Sequence, residues 1–190
     1  MWYPSVVTVA PDDEPITLDE AKAQTRVDGA DDDASLTAYI AGARAHAEAY
    51  CGTPFVSRTI SVKCDGFGDF AQFPVVPVSA VSAIGYVDAE GETQILDASV
   101  YELRADGLTA AIALAYGATW PAIQSGSRIT VTANVGYAAV PDDIKLAILL
   151  LVGHWHKYRE AGARETGNGE AQEIPHGVNA LLCNHRVYSC

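Results

Sequence analysis

The stretch that most limits what this chain can fold into is residues 140–160, VPDDIKLAILLLVGHWHKYRE, where apolar residues fall on every side of a helix. Pro141 suits a first helical turn, and Asp142 and Asp143 complement the positive end of the helix dipole. Ile144, Ala147, Ile148, Leu151, Trp155 and Tyr158 recur at helical spacing, yet Leu146, Leu149, Leu150, Val152 and Gly153 are apolar as well. A helix with no water-facing side is a buried one. In a chain of 190 residues, cover for the extra faces points to another subunit, with Leu146, Leu149, Leu150 and His156 as the candidate subunit interface. The apolar run 146–153 is far shorter than the ~20 residues a bilayer span requires, so no membrane partner is expected.

The totals fit one core with a substantial insertion. Hydrophobic residues make up 49% and charged residues 19%, a balance found in folded proteins and not in disordered tails. The start, MWYPSVVTVAP, lacks the basic region of a signal peptide, so the expectation is synthesis in the cytoplasm. A formal charge of −12 with only 12 scattered basic residues argues against a protein that wraps nucleic acid, because phosphate binding needs clustered Lys and Arg. Cys51, Cys64, Cys183 and Cys190 form no CxxC pair, so the expectation is reduced thiols, not a zinc ribbon or a redox motif.

Residues 1–16 read as an extended, Val- and Pro-rich arm. Thr17 and Glu20 have the spacing of a capping box, which starts a short helix ending before Gly29. The acidic run 28–33 lacks the alternating ligand spacing and closing Glu of a calcium loop, so it reads as a loop leading into an acidic helix start. A second helix spans 33–51, with Leu36, Tyr39, Ile40, Ala43, Ala47 and Tyr50 on one face, Arg44 and Glu48 four apart on another, and Gly52 then Pro54 as its stop.

From 55 to 137 the period changes to that of strands. Residues 57–64 alternate; 81–87 and 93–96 flank Asp88-Ala-Glu-Gly91 as a hairpin; 101–104 and 112–114 are short strand candidates; 128–135 is the clearest strand. After the long helix, 161–173 reads as a loop, and Val178, Leu181 and Leu182 make an apolar patch on a short helix within 174–182.

Candidate chemistry is thin. His154 and His156 lie two apart, which turns them roughly 200° away from each other on a helix and defeats a shared metal site. His46, His176 and His185 belong to no local ligand motif, and no nucleophile elbow, Walker loop or dinucleotide fingerprint is present. No catalytic residue, metal ligand or cofactor is assigned. The alternative kept open is a metal-dependent hydrolase using His154 or His156 with distant carboxylates.

Several segments in this order resemble the phage head–tail connector (adaptor) family of long-tailed phages and gene transfer agents. They are Pro15-Ile-Thr-Leu-Asp-Glu-Ala-Lys22 with Arg26-Val-Asp; Asp31-Asp-Asp; Ala49-Tyr-Cys-Gly52; Ile84-Gly-Tyr-Val-Asp-Ala-Glu-Gly91; Ile148-Leu-Leu-Leu-Val-Gly-His-Trp155 with Arg159-Glu160; and Pro175-His-Gly-Val178 through Leu181-Leu182 to Arg186. His156, His185 and the tail after Arg186 depart from that pattern.

The resemblance implies an α+β protein whose helical adaptor core, of about four helices, is interrupted by a small β-rich insertion. Its segments would be 1–54 (arm and first two helices), 55–138 (β insertion), 139–162 (long helix) and 163–190 (loop and docking arm). It implies a virion component, assembled as a dodecameric ring to match the portal, that joins the portal protein to the next neck or stopper protein and lets DNA pass without specific binding. Portal contact would fall on Ile174, Pro175, Val178, Leu181, Leu182 and Arg186, the apolar ones filling grooves and Arg186 pairing with a carboxylate.

Overall fold

The computed structural model describes residues 1–158 and 176–187. The chain divides into two compact units, one of Met1–Asp12 with Thr53–Ala139 and one of Asp13–Gly52 with Val140–Cys190. The first is the β unit and the second the helical unit.

The β unit is built around its last strand. β7 (Ile129–Val135) alternates as its sequence demands: Ile129, Val131, Ala133 and Val135 are buried while Thr130, Thr132 and Asn134 are not. It lies between β2 (Arg58–Cys64) and β3 (Val78–Val87) in a five-stranded sheet of order β1-β2-β7-β3-β4, every neighbouring pair antiparallel. The β2–β7 register sets Ile60 opposite Ala133, Val62 opposite Val131 and Cys64 opposite Ile129, so buried residues meet buried residues. β3 is longer than its alternation predicts, because irregularities between Val78 and Ala80 and between Val81 and Ala83 break the period-two pattern. The hairpin to β4 (Thr93–Ile95) is held by Asp88, whose carboxylate accepts from the backbone N–H of Glu90 and Glu92 and from Gln94 Nε2. Those donors keep its carboxyl below the usual range, the Gln94 bond foremost.

The Val-rich arm is a strand in its own right. β1 (Val6–Val9) pairs with β2 as the outermost strand of the sheet, and Trp2 anchors its start by donating from Nε1 to the carbonyls of Asp69 and Gln72 and packing on Phe70 and Phe73. β5 (Tyr101–Asp106) and β6 (Thr109–Leu114) form a separate two-stranded sheet joined by the tight turn Gly107-Leu108. Phe67, Phe70, Tyr86 and Trp120 cluster beside the five-stranded sheet, with Phe67 and Trp120 stacked at 4.6 Å.

In the helical unit the capping box forms as spelled: Glu20 N–H donates to Thr17 Oγ1 at 3.2 Å and Thr17 N–H to Glu20 Oε2 at 2.7 Å, opening α1 (Leu18–Thr25). The acceptor role lowers the Glu20 carboxyl below its ordinary value. α2 (Asp33–Cys51) buries Leu36, Ile40, Ala43, Ala47 and Cys51 and stops at Gly52, whose left-handed backbone lets its N–H reach the Glu48 carbonyl at 2.8 Å. Arg44 grips Glu14 through Nε and Nη2 at 2.7 and 3.2 Å and Glu48 through Nη1 at 3.0 Å, tying the entry of the unit to α2.

α3 (Asp142–Lys157) is the hub, touched by α1, α2 and α4 (His176–Leu182). Ile144, Ala147, Ile148, Leu151 and Val152 are buried. Trp155 lies across Gly42 of α2, where a Cβ would stand 3.3 Å from its ring. Gly153 faces the Gln24 side chain of α1, and Gly177 of α4 faces Leu150.

The α+β class holds. The β part is larger than a small insertion: among the described residues seven strands outnumber four α-helices, and the arm itself supplies one of those strands. The physical reason is that a Val-Val-Thr-Val run pairs where a sheet edge is open.

Candidate interaction surfaces

α3 was expected to need a second subunit for several faces, but three helices of its own unit take most of them. What remains to solvent is narrow. Leu146 is 46% exposed, and Leu149 and Leu150 are half-buried one turn further on. His156, the fourth candidate for that interface, is mostly covered and lies with Nε2 3.4 Å from Asp32 Oδ2, within its own unit.

The C-terminal candidates divide three ways. Ile174 and Pro175 lie outside the described residues, as do the 161–173 loop and Cys190. Val178 and Leu182 are not on a free face: each is 1% exposed and packs inside the helical unit. The cause is α3, whose surplus apolar surface is a stronger partner for a short greasy helix than water is. Leu181 is half-buried and Arg186 is exposed, with its guanidinium 4.9 Å from the Tyr50 ring.

A set of polar contacts fastens the same segment. Val187 N–H donates to the Cys51 carbonyl at 2.8 Å, the Cys51 thiol points at the Leu182 carbonyl at 3.6 Å, and His185 Nε2 meets Asp143 Oδ2 at 2.7 Å. Burial works to raise the Asp143 carboxyl, but the His185 bond and the Ile144 N–H outweigh it and hold it below its ordinary value. Sequence reasoning had Cys51, Asp143 and His185 in view without joining them. Their only shared signal was that the end of α2 and the start of α3 both lie where a returning tail could reach.

The residues weighed for metal chemistry have other neighbours. His154 tilts against Tyr158, with ring centroids 5.0 Å apart, and His156 faces Asp32. In the acidic run, Asp33 is paired with Lys22 Nζ at 2.6 Å. Among the described residues no group of three or more His, Cys, Asp or Glu side chains is close enough to hold a metal ion. Cys51 and Cys64 are buried free thiols, each pushed up by burial to about 11, and Cys183 is exposed. Among the described residues no helix is long and apolar enough to cross a membrane.

The family model for head completion proteins matches residues 14–188. The chain belongs to that family. It is thereby a structural virion protein, and the match reaches into both units. Three solved structures similar to this head completion protein come from gene transfer agent particles, and in each case the match covers 99% of this chain and 97% of the other. One is the virion of a native particle, 26% identical with a TM-score of 0.77. Another is the neck of an empty particle computed with C6 symmetry, 24% identical with a TM-score of 0.77. The third is the neck of a native particle computed with C12 symmetry, 24% identical with a TM-score of 0.71. No curated protein matches the chain in sequence.

Proposed function

We propose that this head completion protein is a ring-forming adaptor that joins the portal at the capsid vertex to the next neck or stopper protein. The observation that carries the reading is the near-complete coverage of neck chains from particles solved with C6 and C12 symmetry, which supports a ring of twelve copies. The part of α3 left uncovered by its own unit, Leu146 with Leu149 and Leu150, supplies one face of the contact between copies. A charge of −12 suits a ring through which DNA passes without specific binding, since an acidic lining repels phosphate.

Portal contact falls on the C-terminal segment. In the fold as described, Leu181 and Arg186 are the accessible members of that set, with Ile174 and Pro175 beside them in sequence. Val178 and Leu182 hold the segment to α3, and they reach a portal groove only where α4 leaves α3.

The test is the light-scattering mass of the purified chain with and without its cognate portal, followed by the Leu181→Asp, Arg186→Ala double variant. The expected result is a ring on the portal for the wild type and its loss for the variant, with the isolated variant still folded by circular dichroism. A wild-type chain that never joins the portal refutes the adaptor reading, and a variant that joins normally refutes the assignment of the segment.

A further inference from the structure

A ring of identical copies needs two different surfaces on each, because the patch leaving one copy meets another patch on the next. The α3 stripe is one. Among the described residues, large apolar side chains left to solvent stand together in one other place: Val6, Val7 and Val9 of β1 are 63%, 49% and 53% exposed. Met1, Ile95, Tyr116 and Tyr158 are also exposed, but none lies within β1 or the Leu146 stripe. β1 is an outermost strand, so one edge of its backbone faces away from the sheet. It is short and its pairing with β2 is irregular between Val7 and Val9, but VVTV holds no charge and no proline to keep another chain off. Edges of this kind are closed by another strand or covered by a helix.

We propose that β1 of one copy is covered by the Leu146 stripe of α3 from the next copy, and that this is the heterologous contact closing the ring. The inference rests on the ring reading above. Charge agrees with the pairing: Asp12 and Asp13 are exposed just beyond β1, and Lys157 is exposed at the end of α3. A single isologous patch would stop at a dimer, whereas two unlike apolar patches repeat around an axis.

Cross-linking tests it. In a Cys183→Ser, Cys190→Ser background, Val6→Cys and Leu146→Cys chains are prepared separately, mixed, assembled on the portal and mildly oxidised. The expected result is a disulfide between the two variants, neither cross-linking to itself, and a ladder of multimers when both changes share one chain. Val6→Cys homodimers would overturn the proposal in favour of β1 pairing with β1. Rings of full mass without cross-links would overturn this contact and leave the ring reading standing; a wild-type chain that makes no ring would overturn both. As a second readout, Val6→Lys with Val9→Lys is expected to raise the concentration needed for half assembly at least tenfold without moving the thermal midpoint, both side chains being solvent-facing. Unchanged assembly by that variant also refutes the contact.

Discussion

Replacing Gly136 by alanine adds one methyl group at the end of β7, where the backbone has a φ of +103°. The new Cβ would collide with the carbonyl of Val56 and stand 2.9 Å from Ser57 N. It cannot be relieved by a side-chain rotation, because the obstacle is backbone. Around it, Gly136 N–H donates to the Pro77 carbonyl at 2.9 Å and Tyr137 N–H to the Phe55 carbonyl at 3.1 Å. Holding an L-residue at positive φ costs about 1–2 kcal/mol, and moving the strand end apart forfeits two hydrogen bonds at a net ~1 kcal/mol each. The lower entropy of the unfolded alanine chain adds ~0.4–1 kcal/mol to the penalty's opposite side. The balance is a loss of roughly 2–4 kcal/mol, taken from those three contributions. For a chain of 190 residues that is a fall in thermal midpoint of roughly 5–15 °C. Gly126→Ala is the control, since Gly126 also has positive φ, +81°, but a Cβ there meets nothing within 4 Å. Thermal unfolding followed by circular dichroism compares the two. Equal losses at Gly136 and Gly126 would refute the collision argument and leave only the conformational term.

Two further outcomes follow from the helical unit. Leu182→Ala is expected to cost roughly 2–5 kcal/mol in urea unfolding, as for other buried leucines, while Leu181→Ala, half-buried on the same helix, costs markedly less; equal costs would contradict the packing of α4 on α3. Because the Asp143 carboxyl is held below its ordinary value, its contribution to stability is complete above pH 3.8 and is lost as pH falls through the lower folded value. The urea midpoint is therefore expected to drop more steeply below pH 3.8 in the wild type than in His185→Gln, and parallel slopes there would refute a stabilising His185–Asp143 bond.

Much of this fold was written in local chemistry. The Thr17–Glu20 box, the Gly52 stop of α2, the Asp88 hairpin and the alternation of β7 each depend on residues within a few positions of one another, and each forms where those residues stand. What could not be read locally were choices among partners. The all-round apolarity of α3 said that every face would be covered, not that α1, α2 and α4 would do most of the covering. Val178 and Leu182 look the same in sequence whether they fill a portal groove or their own unit, and the deciding residues, Cys51 and Asp143, lie far away in the chain. β3 hid its length because two irregularities break its alternation. The edge position of β1 depended on where β2 would end up, a distance of some fifty residues.

The helical unit is made from two stretches of chain with six of the β unit's seven strands, β2 to β7, encoded between them. During synthesis α1 and α2 therefore leave the ribosome long before the helix they pack on. Roughly ninety residues separate the end of α2 from the start of α3, which at ~5–20 residues per second is an interval of about 5–20 s. Through that interval Leu36, Ile40, Ala43 and Ala47 have no α3 to cover them, while β1 already has β2 and, later, β7 within reach. The β unit is thus the part of the nascent chain that can close first, and the exposed stripe of α2 is where a chaperone, or a neighbouring nascent copy, would find it.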